Sequence, residues 1–260
     1  MMLVNLTTSL LLALGAGVDQ AQPPAPGSKP PAASVVAAKD PAAMALLKRM
    51  CDRLQAAKTF FVRGRSSLEL PMDDGELATF FNDFDTYVRR PDGFASHRTG
   101  DLPEFRFAFD GKAMTVHVPG TGKWGTTSAP ATLDAMLPVA GETHGINLPF
   151  DELLAADPYA AVTAGVTEAV RAEQAMILGK PVEHLVLTSA DLRIEYWIDP
   201  GTALPARSLV VYAYHPLRPH FTVEYAEWKL DPKLPDTTFA LPKPQGATQV
   251  DFHIAAGAFR

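Results

Sequence analysis

From about residue 59 to residue 229, apolar and polar side chains alternate in one run after another, and Pro, Gly and Asp pairs separate the runs. In the clearest run Phe105, Phe107 and Phe109 point one way and Arg106 and Ala108 the other, with Asp110 and Gly111 supplying a hairpin turn. Two long runs, 60–70 and 80–90, are joined through Asp74 and Gly75. Shorter ones follow at 94–99, 104–109, 113–118 and 123–127, and again at 164–178, 182–189, 192–198, 206–214 and 220–230. A period of two in so many segments predicts an antiparallel sheet with one apolar face.

Three segments carry a helical period. Asp40 and Pro41 open the first, over 41–56, where Asp accepts from free backbone N–H groups, Pro is preorganised, and Met44, Leu47, Met50, Cys51 and Leu54 recur at helical spacing. The centre of the chain breaks the alternation with short helices over 131–137 and 150–156, whose apolar sides carry Leu133, Met136, Leu137, Phe150, Leu153 and Leu154. Pro130, Pro138 and Pro149 bracket these two, which makes them lid candidates able to shift as units. The predicted class is therefore α+β: a strongly curved antiparallel half-barrel with an N-terminal helix and a central helical insert packed on its concave face.

Ahead of this pattern, residues 3–18 form an apolar stretch too short to span a bilayer and end in small residues, which reads as a signal peptide over 1–18 lacking a basic start. Residues 19–39 are rich in Pro and Ala and predict a disordered tether. One domain over 40–252 and a tail over 253–260 complete the expectation, with the protein periplasmic or secreted. A net charge of −6 and 23 scattered Lys and Arg offer no phosphate-binding surface, so nucleic acid is not an expected partner. The single cysteine, Cys51, lies among apolar helix positions and reads as packing.

Catalytic and metal chemistry find little footing. No Gly-x-Ser-x-Gly, His-Glu-x-x-His or Cys-x-x-Cys motif occurs. Gly120 to Lys123 lacks the phosphate-loop spacing and reads as a hairpin turn. His215 and His220 with Glu224 could hold zinc in principle, but spacing fixes no third ligand. Glu183 and His184, with Asp191 or Glu195, could form an acid–base pair, yet neighbours on a strand face opposite sides.

Several short segments, in order, resemble a family of bacterial predicted periplasmic proteins of unknown function within the LolA-like and LppX-like lipoprotein-carrier clan. They are residues 89–93, 109–112, Trp124 with 129–134, 179–185, 197–201 with Leu204 and Pro205, Trp228, and 239–242 ahead of Gly246 and Ala247. The resemblance implies a curved half-barrel with helices in its mouth and an apolar space between them that holds acyl chains or a similar ligand.

Together these readings give a non-enzymatic carrier or binding protein for a hydrophobic small molecule, lipid or acylated protein. It is expected to be a monomer without a cofactor or metal, touching a membrane or membrane-bound partner in passing. The expected ligand lining is Phe105, Phe107, Phe109, Val116, Leu133, Met136, Leu137, Leu153, Tyr196, Tyr212 and Tyr214. An envelope-stress sensor or protein-interaction scaffold without bound ligand is the alternative, and a hydrolase, for which no acid–base candidate stands out, is the third.

Overall fold

The structure, a computed structural model, describes residues 39–257 except 147 and 149. The expected leader, most of the tether, Pro149 and residues 258–260 lie outside the described residues. Helix α1 (Pro41–Ala56) begins as expected, with the Asp40 carboxylate accepting from the Ala42 N–H at 2.9 Å. Two 13-residue strands, β1 (Thr59–Pro71) and β2 (Leu77–Arg89), pair along their whole length and turn through Gly75 at φ +85°. Four more antiparallel strands continue the meander: β3 (Gly93–Gly100), β4 (Phe105–Phe109), β5 (Ala113–Val118) and β6 (Lys123–Ser128). A short 3-10 turn, Pro119–Thr121, joins β5 to β6 where the hairpin was expected.

The insert holds α2 (Leu133–Pro138), a π-helical turn (Val139–Thr143), α3 (Asp151–Leu154) and α4 (Pro158–Thr163). The expected helix over 150–156 is thus shortened to one turn. Helix α4 has no counterpart in the alternation pattern, although Asp157 and Pro158 repeat the opening pair of α1 and Asp157 accepts from Ala160 N–H at 3.0 Å. The run read as one strand over 164–178 divides into β7 (Glu168–Arg171) and β8 (Ala175–Ile177). After them come β9 (Lys180–Thr188), β10 (Leu192–Ile198), β11 (Pro205–Tyr212) and β12 (His220–Leu230). Near the end of the expected domain β13 (Thr248–Gln249) pairs parallel to β6, and α5 (Phe252–Gly257) runs on into the expected tail, burying Phe252, Ala255 and Ala256 in the core.

All of these strands form one open, curved sheet in the order β13-β6-β5-β4-β3-β2-β1-β12-β11-β10-β9-β7, with β8 hydrogen-bonded to β9 off this path. Its two halves meet at the β1–β12 ladder, which joins Phe60 to Leu230 and Leu68 to Phe221. A bulge at Arg63 and Gly64 bends that seam, and a Cβ at Gly64 would stand 2.3 Å from the Glu224 carbonyl oxygen, so only glycine fits. The helices cover one face, and the core lies between them and the sheet. No helix among the described residues is long and apolar enough to cross a membrane.

Candidate functional site

Strand parity decides which side chains face the helices. Phe60 and Val62 of β1, Phe84 and Val88 of β2, Phe94 of β3 and the three phenylalanines of β4 all point under the plug, as do Tyr196 of β10 and Tyr225 of β12. Nine of the eleven residues expected to line a ligand site meet in this one cluster: Phe105, Phe107, Phe109, Val116, Leu133, Met136, Leu137, Leu153 and Tyr196. Tyr212 ends β11 half-buried, edge-on to Tyr214 with centroids 6.1 Å apart. Tyr214 itself is 43% exposed, because the ladder stops at residue 212 and the chain turns away with Tyr214 N–H donating to the Asp191 carbonyl. In this conformation the plug fills the concave face, and Phe109, Val116, Met136 and Tyr196 are wholly buried.

The plug is held in two different ways. Helix α1 presents a continuous stripe of Ala43, Leu46, Leu47, Met50, Cys51 and Leu54 to the sheet. The α3 segment is a single turn entered through Phe150 at φ +51°, and its last two carbonyls and the residues just after it find partners outside it. Arg90, the residue after β2, donates to the carbonyl oxygens of Leu153 at 2.9 Å, Ala155 at 2.7 Å and Leu154. A guanidinium at the C-terminal carbonyls of a helical turn satisfies acceptors that the turn cannot satisfy itself. Asp134 of α2 accepts from Ala156 N–H at 2.9 Å, and Gln55 of α1 donates to the Ala156 carbonyl at 2.7 Å. From the sheet, the Tyr196 hydroxyl donates to Glu152 at 2.9 Å.

Electrostatics mark the same place. Burial, then the neighbouring Glu152 carboxylate, raises the Asp151 pKa to about 8. Burial and Glu152 also push the Tyr196 hydroxyl upward. Desolvation lowers the Arg90 guanidinium. The Cys51 thiol, 1% exposed on the α1 side, is pushed up to about 12 by burial, which leaves it unreactive. Arg90, Asp134, Glu152 and Gln55 were absent from the expected site. One signal pointed to Arg90: in a run read as a strand, consecutive arginines face opposite sides of the sheet.

The opposite face of the sheet is laid out differently. Across it runs a cross-strand row of His184, Trp197, Arg207, Glu224, Arg65 and Asp83, and a parallel row of Glu227, Arg63, Asp85, His97, Arg106 and His117. Opposite charges face each other within the rows, with Arg63 Nε 2.7 Å from Asp85 and Arg65 Nε 3.0 Å from Asp83. A cavity of about 950 Å³ lies over these residues, walled on one side by Met176, Ile177 and Leu178 of the β8 hairpin. A smaller one of about 170 Å³ lies between His97, Arg106 and the residues Thr238, Ala240 and Leu241.

The two weak chemistries weighed from sequence are also placed. His184 meets Glu195 at 2.8 Å on this outer face and stacks on Trp197, whereas Glu183 turns to the other side and pairs with Arg49 and Arg171. His215 accepts from Leu217 N–H in a loop, and His220 donates its backbone N–H to Glu69. Among the described residues no group of three His, Cys, Asp or Glu side chains is placed to hold a metal ion.

A half-barrel with helices on its concave face, over nearly the whole described length, agrees with one family model, described as predicted periplasmic protein (DUF2092) and matching residues 43–253. The chain belongs to this family. No curated protein matches it. Among solved structures, this DUF2092 chain is similar to lipoprotein LppX of Mycobacterium tuberculosis, at 14% identity over 73% of this chain and 96% of that one, with a TM-score of 0.44. An uncharacterized conserved protein from Thermus thermophilus shares 12% identity over 81% of this chain and 99% of that one, with a TM-score of 0.46. The MucA/MucB complex of Pseudomonas aeruginosa shares 13% over 80% of this chain and 64% of that one, with a TM-score of 0.36, so this chain spans just under two thirds of its length. Likenesses this distant bear on neither ligand nor partner, and the functional reading rests on the chain's own geometry.

Proposed function

We propose that this protein is a non-enzymatic periplasmic carrier that shelters a hydrophobic ligand, either a lipid, an acyl chain or an acylated protein, between the concave sheet face and its helical plug. The observation that carries the reading is the way α3 is held: its final carbonyls are tied down from outside by Arg90, and Ala156 just beyond it by Asp134 and Gln55, while Leu153 and Leu154 belong to the apolar core. Release of that latch exposes apolar lining that includes Phe107, Met136 and Leu153 without unwinding a long helix. Burial of a sixteen-carbon chain at roughly 0.8 kcal/mol per CH₂ contributes about 12 kcal/mol, more than the ~5–9 kcal/mol needed to expose Phe150, Leu153 and Leu154. A guest that displaces the plug stabilises the opened form by differential burial.

The test is titration of the purified domain with an environment-sensitive fluorescent fatty acid. Saturable binding in the micromolar range is expected, with faster uptake by Arg90→Ala, whose lid is released. If neither protein takes up the probe at high micromolar concentration, the carrier reading fails. A second reading, a protein-interaction scaffold, is favoured by the cavity of about 950 Å³ on the outer face, which lies apart from the plug.

A further inference from the structure

The β8–β9 hairpin closes Ile177 onto Lys180 through a two-residue turn, Leu178 and Gly179, both left-handed at φ +48° and +77°. That turn type favours Asn, Asp or Gly, because a left-handed backbone crowds a Cβ and only short polar side chains repay it with local hydrogen bonds. Leucine does neither. Its side chain gains nothing from the fold in exchange, since Leu178 is 98% exposed and Met176, two residues before it, is 64% exposed. The next most exposed large apolar residues, Phe81 and Ile254, are only half exposed. The tip is therefore unfavourable on backbone and solvation grounds together, and a partner outside the chain is what would reverse the second of these.

The size and shape of the tip select the partner. Two apolar side chains on a convex turn fall far short of the ~1,200 Å² or more that a stable protein–protein interface buries. At a bilayer interface the same two suffice for weak, reversible attachment, because burial of one leucine shifts a partition equilibrium about tenfold or more. The exposed Lys180 stands beside the turn, where a cation meets anionic headgroups. The hairpin also walls the outer cavity, but the charged residues there, Arg63 with Asp85, Arg65 with Asp83 and Arg207 with Glu224, are already paired and select no partner of opposite charge. We infer that the tip of the β8–β9 hairpin docks this protein on a phospholipid surface through Leu178 and Met176, with Lys180 at headgroup level.

This docking is independent of whether the interior holds a guest. Leu178→Cys carries a fluorophore sensitive to polarity, and the buried Cys51 leaves position 178 as the labelled site, with Cys51→Ala as the control. Vesicles of phosphatidylethanolamine and phosphatidylglycerol should shift the emission to the blue and make it quenchable by spin-labelled acyl chains. In flotation of the unlabelled protein, Leu178→Asn should lower the vesicle-bound fraction about tenfold or more while leaving the melting temperature unchanged or higher, since asparagine suits the turn. Unchanged emission with vesicles, or equal flotation of wild type and Leu178→Asn, overturns the inference. An emission shift produced by a polypeptide and never by vesicles overturns it in favour of a partner seated in the outer cavity.

Discussion

Helix α1 and the α3 segment plug the same concave face, yet one carries its own support and the other borrows it. Sixteen residues with a side-chain cap and an unbroken apolar stripe make α1 part of the fold's foundation. One turn, entered through a left-handed Phe150 and fastened by Arg90 and by side chains from α1 and α2, makes α3 an element held from outside itself. The difference teaches that position over the core does not decide which element moves. What decides it is whether an element's backbone is satisfied from within or from without.

The comparison breaks most visibly with a charge placed under the self-supporting plug. Met50→Asp buries an unpaired carboxylate at a wholly buried position, and a loss of about 4 kcal/mol or more is expected. Urea denaturation should show the whole domain destabilised in one transition. Loss only of α3 protection would refute the assignment of α1 to the foundation. A smaller and local effect is expected from Arg90→Ala, which strands three carbonyls and costs about 2–4 kcal/mol. Hydrogen exchange at 150–156 should quicken while α1 amides stay protected, and a uniform increase across both would erase the distinction.

The mildest test uses pH. The Asp151 pKa is raised above its unfolded value, so the stabilisation it lends α3 is complete below the ordinary carboxylate range and is lost as pH rises through about 8. Exchange at 150–156, corrected for intrinsic rate, should therefore be faster at pH 9 than at pH 6, and Asp151→Asn should flatten the difference. A segment that loosens on acidification would contradict this sign.

Most of the sheet was legible because period-two alternation and turn chemistry are local. Phe105, Phe107 and Phe109 could only share a face, and Asp74 with Gly75 could hardly be anything but a hairpin. What was not legible depends on distant partners. Alternation continues through Tyr212 to Tyr214 in the sequence, but the ladder ends where β12 no longer accompanies it, so Tyr214 leaves the lining. Arg90 finds its acceptors more than sixty residues away, and its twin Arg89 pairs with Asp92 and Asp236 on the other face. Parity says that one arginine turns inward, but it does not say onto what. Helices α4 and α5 are too short for a period to emerge, and their apolar residues acquire meaning only against the sheet. Whether three helices could fill the concave face was a question of volume, which no pattern of letters answers.

The seam between β1 and β12 has a consequence for how the molecule is made. Each flanking meander can assemble from neighbours in the chain, but β1 gains its second partner only when residues 220–230 have arrived. Such remote pairing makes for slow maturation. Until the seam zips, β1 stands as a bare margin with Phe60 and Val62 uncovered. A chain cut short before residue 220 would therefore present that margin to its neighbours and aggregate.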